Sequence, residues 1–166
     1  MINLRHIVVA TDLSACSQPA IRYACDLASS FGSHLHLLTV VPFPFAEFAE
    51  QCRKEFGRSM DALEQEHRQQ ATSALDQTDV APLTDHDAVT RIIRAGIPRS
   101  EIPEYADEVD CDLLVVGTHG HSGLKHVLQG SVAEAVTQQA RCPVLCVRSF
   151  GQRTESNLQD AERHER

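Results

Sequence analysis

Short runs of β-branched and aliphatic residues alternate with longer stretches of helical period about five times along the chain, the pattern of an α/β domain with a largely parallel sheet. His6-Ile7-Val8-Val9-Ala10-Thr11 is a continuous apolar strand of the kind covered on both faces, and it ends at Asp12. From Ser17 the apolar positions Ile21, Ala24, Cys25, Ala28 and Phe31 fall at helical spacing, with Ser17 as N-cap, Pro19 in the first turn and Gly32 as the stop. His34 to Val41 forms a second strand, closed by Pro42 and Pro44, which cannot continue a central ladder. The polar stretch from about Phe45 to Gln77 reads as a helix, although its apolar stripe (Phe48, Cys52, Phe56, Met60, Leu63, His67) drifts around the axis. A third strand near Ala88 to Ala95 does not choose a face cleanly, as an edge strand often does not. Pro98 to Val109 is helical, with Pro103 tolerable only in a first turn capped by Ser100. Asp112 to Val116 is a fourth, buried strand. A glycine-rich loop, a helix from about Ser131 to Ala140 and a last strand from Pro143 to Arg148 follow.

Composition narrows what such a domain does. The 166 residues are one domain's length, and 42% hydrophobic content suffices for one core, expected over 1–150. The polar tail, 151–166, lacks apolar anchors and is expected to be disordered. Fifteen Lys and Arg against 23 Asp and Glu give a net charge of −8, the wrong sign for holding nucleic acid or anionic lipid by bulk electrostatics. The start of the chain is interrupted by Asp12 too soon for a secretion signal or a membrane span, which reads as cytoplasmic. Six scattered cysteines (Cys16, Cys25, Cys52, Cys111, Cys142, Cys146) contain no Cys-x-x-Cys and are expected to be small packed side chains. Cys142 and Cys146 share a strand parity, but two thiols alone make a poor metal site.

The chemistry concentrates in Gly117-Thr118-His119-Gly120-His121-Ser122-Gly123 and Gly130-Ser131-Val132-Ala133-Glu134, between a buried strand and a helix. In open α/β sheets ligands settle beyond the carboxyl ends of strands, where helix N-termini offer unpaired N–H groups to phosphates and glycines let the backbone approach. Gly117-x-x-Gly120, nine residues, then Gly130-Ser131 is a complete G-x2-G-x9-G-[ST] pattern and resembles the ATP-binding universal stress proteins. Ile7 to Asp12, Val115-Val116, Ser122-Gly123-Leu124-Lys125 and Cys142-Pro143-Val144-Leu145 extend the likeness over roughly Arg5 to Arg148.

The resemblance implies a single-domain open five-stranded parallel sheet with helices on both faces, of the adenine nucleotide α-hydrolase-like kind, in strand order 3-2-1-4-5. It implies that Asp12 contacts the ribose hydroxyls, that Ala10 and Thr11 line the base pocket, and that Val40 and Val41 border the adenine. Gly117, Thr118, His119, Gly120, His121, Gly130, Ser131 and Val132 would wrap ribose and phosphates, mostly by main-chain N–H. The family commonly has Arg after the second glycine. Here His121 stands there, mostly uncharged near neutral pH, which weakens phosphate contact. Plainer roles stand beside these. Ser131 with Glu134 forms a capping box with or without ligand. Asp12 could cap its own loop or the first helix, and the glycines could serve turns alone. His119, His121 and His126 read as solvated loop residues rather than metal ligands, while Mg2+ could arrive with a triphosphate.

These residues favour an ATP-binding stress-response regulator with little or no intrinsic turnover. No P-loop motif is present, and Lys125 is wrongly placed to replace its lysine. Slow ATP hydrolysis, with Asp12, His119 or His121 orienting a water, stays open. An adenine α-hydrolase-type enzyme would need a Ser-Gly-Gly-x-Asp-Ser loop where this chain has Asp12-Leu13-Ser14-Ala15-Cys16-Ser17. A phosphoacceptor receiver would need an acidic pair, of which only Asp12 is in place, and an Asp after strand three, where Gly96-Ile97-Pro98 runs instead. An interaction-only module that never binds nucleotide is disfavoured by the intact glycine pattern. The apolar last strand, Val144-Leu145-Cys146-Val147, is expected at a sheet edge, where it would pair with a second copy, as in family members that dimerise through it.

Overall fold

Ile7 and Val9 bury their side chains on one face of the sheet, and Val8 and Ala10 on the other. A strand in which consecutive residues are all buried needs helices on both sides. The computed structural model, which describes residues 2–42, 60–83, 88–118 and 131–148, supplies them. The strands are β1 (His6–Thr11), β2 (His34–Pro42), β3 (Val89–Gly96), β4 (Leu113–Gly117) and β5 (Val144–Val147). The helices are α1 (Gln18–Phe31), α2 (Met60–Asp76), α3 (Pro98–Glu108) and α4 (Ser131–Gln139). All neighbouring strands are parallel, in the order β3-β2-β1-β4-β5.

Helix α1, with Leu75 of α2, covers the face of Ile7 and Val9. Helices α3 and α4 cover the face of Val8 and Ala10 through Ile102, Tyr105, Ala106, Ala133 and Val136. Gly32 ends α1 in the left-handed region (φ 65°, ψ 36°), where a residue with a Cβ is strained. Among the described residues no helix is long and apolar enough to cross a membrane.

Several elements depart from the sequence pattern. Helix α3 begins at Pro98 with Ile97, not Ser100, at its cap, because Pro98 supplies the fixed φ that a first helical residue needs. Pro103 therefore lies inside the helix, where it removes the bond its N–H would have given to the carbonyl four residues back. Helix α2 buries Ala71 and Leu75, one turn apart, and His67 is exposed rather than part of the packed stripe. The part of the expected helix before residue 60 lies outside the described residues. Pro42 is included in β2: past Thr39 that strand pairs only with β3, so its missing N–H interrupts no central ladder.

The two-faced pattern of β3 also has a cause. Arg91 donates from Nε to the Leu75 carbonyl (3.2 Å) at the end of α2. Arg94 instead pairs with Glu101 (2.9 Å) and Glu108 (2.7 Å) of α3 and lies 5.7 Å from the Tyr105 ring centre. Each arginine ties the edge strand to the helix on its own side, so neither face reads as purely apolar. At the end of β3, Gly96 has φ 153°, and a Cβ there would come within 2.6 Å of the Glu101 carboxylate that holds Arg94.

The ends of the strands that precede the sheet are closed by polar side chains. Asp112 stops short of β4 because its carboxylate accepts the Arg5 and His6 amides (2.7 and 2.9 Å), which holds its pKa below the ordinary value. His6, His34 and His36 gather beside it, with ring centres 4.8 to 6.3 Å apart. His36 is buried, with one ring nitrogen 2.9 Å from the Tyr105 hydroxyl and the other 3.2 Å from His6 Nδ1. Burial first, and His34 and His6 after it, push the His36 pKa down to about 4. Cys25 fits the expectation of a packed thiol, since burial first and Asp26 second push its pKa up to about 11.

Candidate functional site

The chain leaves β1 toward β2 on one side, and after β3 it crosses to β4 on the other. The strand order therefore reverses between β1 and β4. Ala10 is level with Val116, which puts Asp12 and Thr118, just past the two strand ends, at the same height across the crevice. This is the position at which open α/β sheets hold ligands. The expected residues of β1, β2 and β4 converge there. Ala10, Thr11 and Thr118 are buried, Val40, Val41 and Gly117 are half-buried, and Asp12 is exposed.

The β1–α1 loop has a tight polar frame. Asp12 Oδ1 accepts the Ser14 amide (3.0 Å) and hydroxyl (2.6 Å), which makes the expected loop cap real. The Leu13 amide donates to Thr11 Oγ1 (2.9 Å), and Leu13 itself sits at φ 61°, an uncommon conformation for a branched side chain. The Ser17 hydroxyl does not cap α1. It donates to the Ser14 carbonyl (2.8 Å) and lies 2.7 Å from Thr11 Oγ1, because a one-turn 3-10 segment, Ala15–Ser17, precedes the helix and turns that side chain back toward the strand. Thr39 of β2 donates to the Thr11 carbonyl (2.9 Å). Ser14 thus holds Asp12 directly, while Leu13, Ser17 and Thr39 brace Thr11 before it, and none of the four belongs to the site residues that the sequence pattern implies. The Asp-x-Ser spacing of an Asx turn was the available signal for Ser14.

On the other side of the crevice, the Thr118 amide donates to the Val147 carbonyl (2.9 Å), holding the start of the glycine loop against β5. Ser131 is the exposed first residue of α4, and Val132 packs partly into the core beneath. His119, Gly120, His121, His126 and Gly130 lie outside the described residues. Among the described residues, no group of three or more His, Cys, Asp or Glu side chains is arranged to hold a metal ion.

Comparison with known proteins agrees with this architecture. A model of the universal stress protein family matches residues 3–148. Universal stress protein MJ0531 of Methanocaldococcus jannaschii is 32% identical over 145 residues, which cover 87% of this chain and 82% of that one. A solved universal stress protein in complex with cAMP is 28% identical with a TM-score of 0.55, over 87% of this chain and 97% of that one. The universal stress protein from Archaeoglobus fulgidus in complex with dAMP is 25% identical with a TM-score of 0.55, over 88% and 98% of the two chains.

Proposed function

This chain belongs to the universal stress protein family, and from that premise we propose that it is an adenine-nucleotide-binding regulator, taking ATP, with little or no intrinsic turnover. The observation that carries the reading is the placement of the glycine pattern: it opens at Gly117, at the end of β4, beside the end of β1 where the strand order reverses, and it closes at Ser131 on the first turn of α4.

The donor set suits a nucleotide. Asp12 offers an exposed carboxylate to ribose hydroxyls, and Ala10, Thr11, Val40 and Val41 offer a mixed apolar and backbone-polar wall to a purine. The N-terminus of α4 offers partial positive charge and unpaired N–H groups to phosphates. Gly117, Thr118, His119, Gly120, His121, Gly130, Ser131 and Val132 complete the proposed contacts, and a Mg2+ ion would be held chiefly by phosphate oxygens. Solved relatives that hold cAMP and dAMP support the adenine part of the reading and make monophosphates the competitors to test.

Mass spectrometry of small molecules released from the denatured, purified protein should find an adenine nucleotide, and calorimetry should then rank ATP against AMP, dAMP and cAMP. An empty extract together with no heat from any of the four defeats the proposal. ATP turnover at the enzyme-like rate of about 1 s−1, lost in His121→Ala, would replace the regulator with a hydrolase.

We also propose a homodimer through β5. Val144, Leu145 and Cys146 are half-buried on a strand that has β4 on one side only, and such an edge invites a second copy. Sedimentation at micromolar concentration should give twice the chain mass, and a monomer there sinks the idea.

A further inference from the structure

Cys111 precedes β4 and Cys142 precedes β5, each by two residues, so 31 positions of sequence separate two thiols that neighbouring strands bring together. Both turns are fixed. The Cys111 amide donates to the Ala106 carbonyl (2.9 Å) at the end of α3, and the Leu114 amide donates to the Pro143 carbonyl (3.0 Å), locking the residue after Cys142 against β4. The pairing of Leu114 with Val144 sets Cys142 level with Asp112, one residue along from Cys111 on the neighbouring strand's entry. Both pack into the core under α3 and α4, but Cys111 is buried whereas Cys142 is half-buried and meets solvent.

This asymmetry divides the pair into an attacking and a resolving sulfur. The neighbouring Cys111 thiol first, and backbone amides with it, favour thiolate on Cys142 and hold its pKa below the ordinary thiol value against the effect of its own burial. The Cys142 sulfur beside it first, and burial after that, raise the Cys111 pKa above the ordinary thiol value. A thiol shifted toward thiolate and reachable from solvent is the kind that peroxide oxidises. Continuing the register of Leu114 with Val144 places Cys111 and Cys142 one residue out of step; with strands about 4.8 Å apart and a rise of about 3.3 Å per residue, that diagonal is roughly 5.8 Å, inside the Cα separation of roughly 4.4–6.8 Å that a disulfide accepts.

We propose that Cys111 and Cys142 are a redox pair that closes to an intramolecular disulfide with hydrogen peroxide and reopens with a thiol reductant. Cys142 thiolate attacks peroxide: an S–O bond forms, the O–O bond breaks, and hydroxide leaves and takes a proton. Cys111 sulfur then attacks the Cys142 sulfenic acid: the S–S bond forms, the S–O bond breaks, and water leaves with the Cys111 proton. Two thiols and one peroxide become one disulfide and two waters, a two-electron oxidation of sulfur balanced by reduction of peroxide oxygen. Two thiolates of an added dithiol reverse it by exchange. The clasp joins the turns at the end of the sheet opposite Asp12 and Thr118, so it is independent of the nucleotide reading.

The test uses the full chain, reduced, treated with hydrogen peroxide, alkylated, and digested without reductant. Peptide mapping by mass spectrometry should show one cross-link, between Cys111 and Cys142, and two of the six thiols protected from alkylation until dithiothreitol is added. In Cys111→Ser, dimedone should label Cys142 as a sulfenic acid. In Cys142→Ser, Cys111 should stay unlabelled. A cross-link to any other cysteine, both thiols still alkylatable, or sulfinic acid on Cys142 as the first stable product would overturn the proposal. The wild-type map decides even if neither variant folds.

Discussion

Asp12→Asn is expected to weaken ATP binding roughly 30-fold while leaving the fold intact. On the proposed site the Asp12 carboxylate accepts hydrogen bonds from the ribose hydroxyls. A bond to a charged partner is worth about 1 kcal/mol more than a neutral one. Two such bonds losing their charge therefore cost about 2 kcal/mol, or roughly 30-fold at about 1.4 kcal/mol per decade. Asn is the informative replacement because its carbonyl oxygen can still accept the Ser14 amide and hydroxyl that Asp12 Oδ1 now accepts. Asp12→Ala would mix loss of ligand with loss of the loop, which costs on the order of 1 kcal/mol by itself. Calorimetry with ATP and 2′-deoxyATP supplies the second readout. Wild type should prefer ATP by about tenfold, one charge-assisted bond's worth, and the variant should nearly lose that preference. Unchanged affinity with an unchanged preference would remove Asp12 from the site.

How far this site was legible depends on how local each feature is. Strands β1, β2 and β4 announce themselves because burial on both faces leaves unbroken runs such as Ile7-Val8-Val9-Ala10 and Leu114-Val115-Val116, and Gly32 marks the end of α1 because only glycine takes φ 65° without strain. The glycine pattern is legible for the same reason: spacing within one strand–loop–helix unit survives in the sequence. The frame behind Asp12 does not. Nothing local says that the Ser17 hydroxyl turns back to Thr11 rather than capping α1, or that Thr39, 28 residues away, reaches the Thr11 carbonyl.

Features that depend on strand register were hidden altogether. Cys142 and Cys146 share a parity that is visible in sequence, and both do border the core under α3 and α4, but the cysteine that joins Cys142 at that core is Cys111, supplied by the neighbouring strand's turn. Pro103 was misplaced because two prolines compete to open α3. The first, Pro98, wins, which leaves the second inside a helix that tolerates it through the packing of Ile102, Tyr105 and Ala106. His6, His34 and His36 likewise look like ordinary polar positions in two separate strands until the pairing of His6 with His34 and of Val8 with His36 stacks them.

That cluster should make the fold acid-sensitive well above the range of ordinary carboxylates. His36 is 7% exposed, with both ring nitrogens engaged by Tyr105 and His6. Tyr105 is itself raised above the ordinary phenol pKa, by burial first and by Glu108 next, so it stays a neutral partner. Protonation would bury a cation beside two further imidazoles, which is why the folded pKa is about 4. The unfolded value is about 6.5. Between those two values the unfolded chain binds a proton at His36 that the folded chain refuses, so unfolding free energy rises with pH. The contribution is complete above about pH 6.5, is lost as pH falls toward about 4, and changes no further below that. At about 1.4 kcal/mol per unit it amounts to the order of 2–3 kcal/mol, allowing for the part of the ring that solvent still screens. Urea unfolding at pH 7.5, 6.0, 5.0 and 4.5 measures it. His36→Gln keeps an amide for Tyr105 and His6, so it should be less stable than wild type at pH 7.5 by about 1–2 kcal/mol. Its decline with acid should nonetheless be shallower, so the two curves converge toward pH 4.5. Taking the difference between the two proteins removes the carboxylates, Asp112 among them, that titrate alike in both. Parallel curves across that interval would mean that His36 carries none of the acid sensitivity.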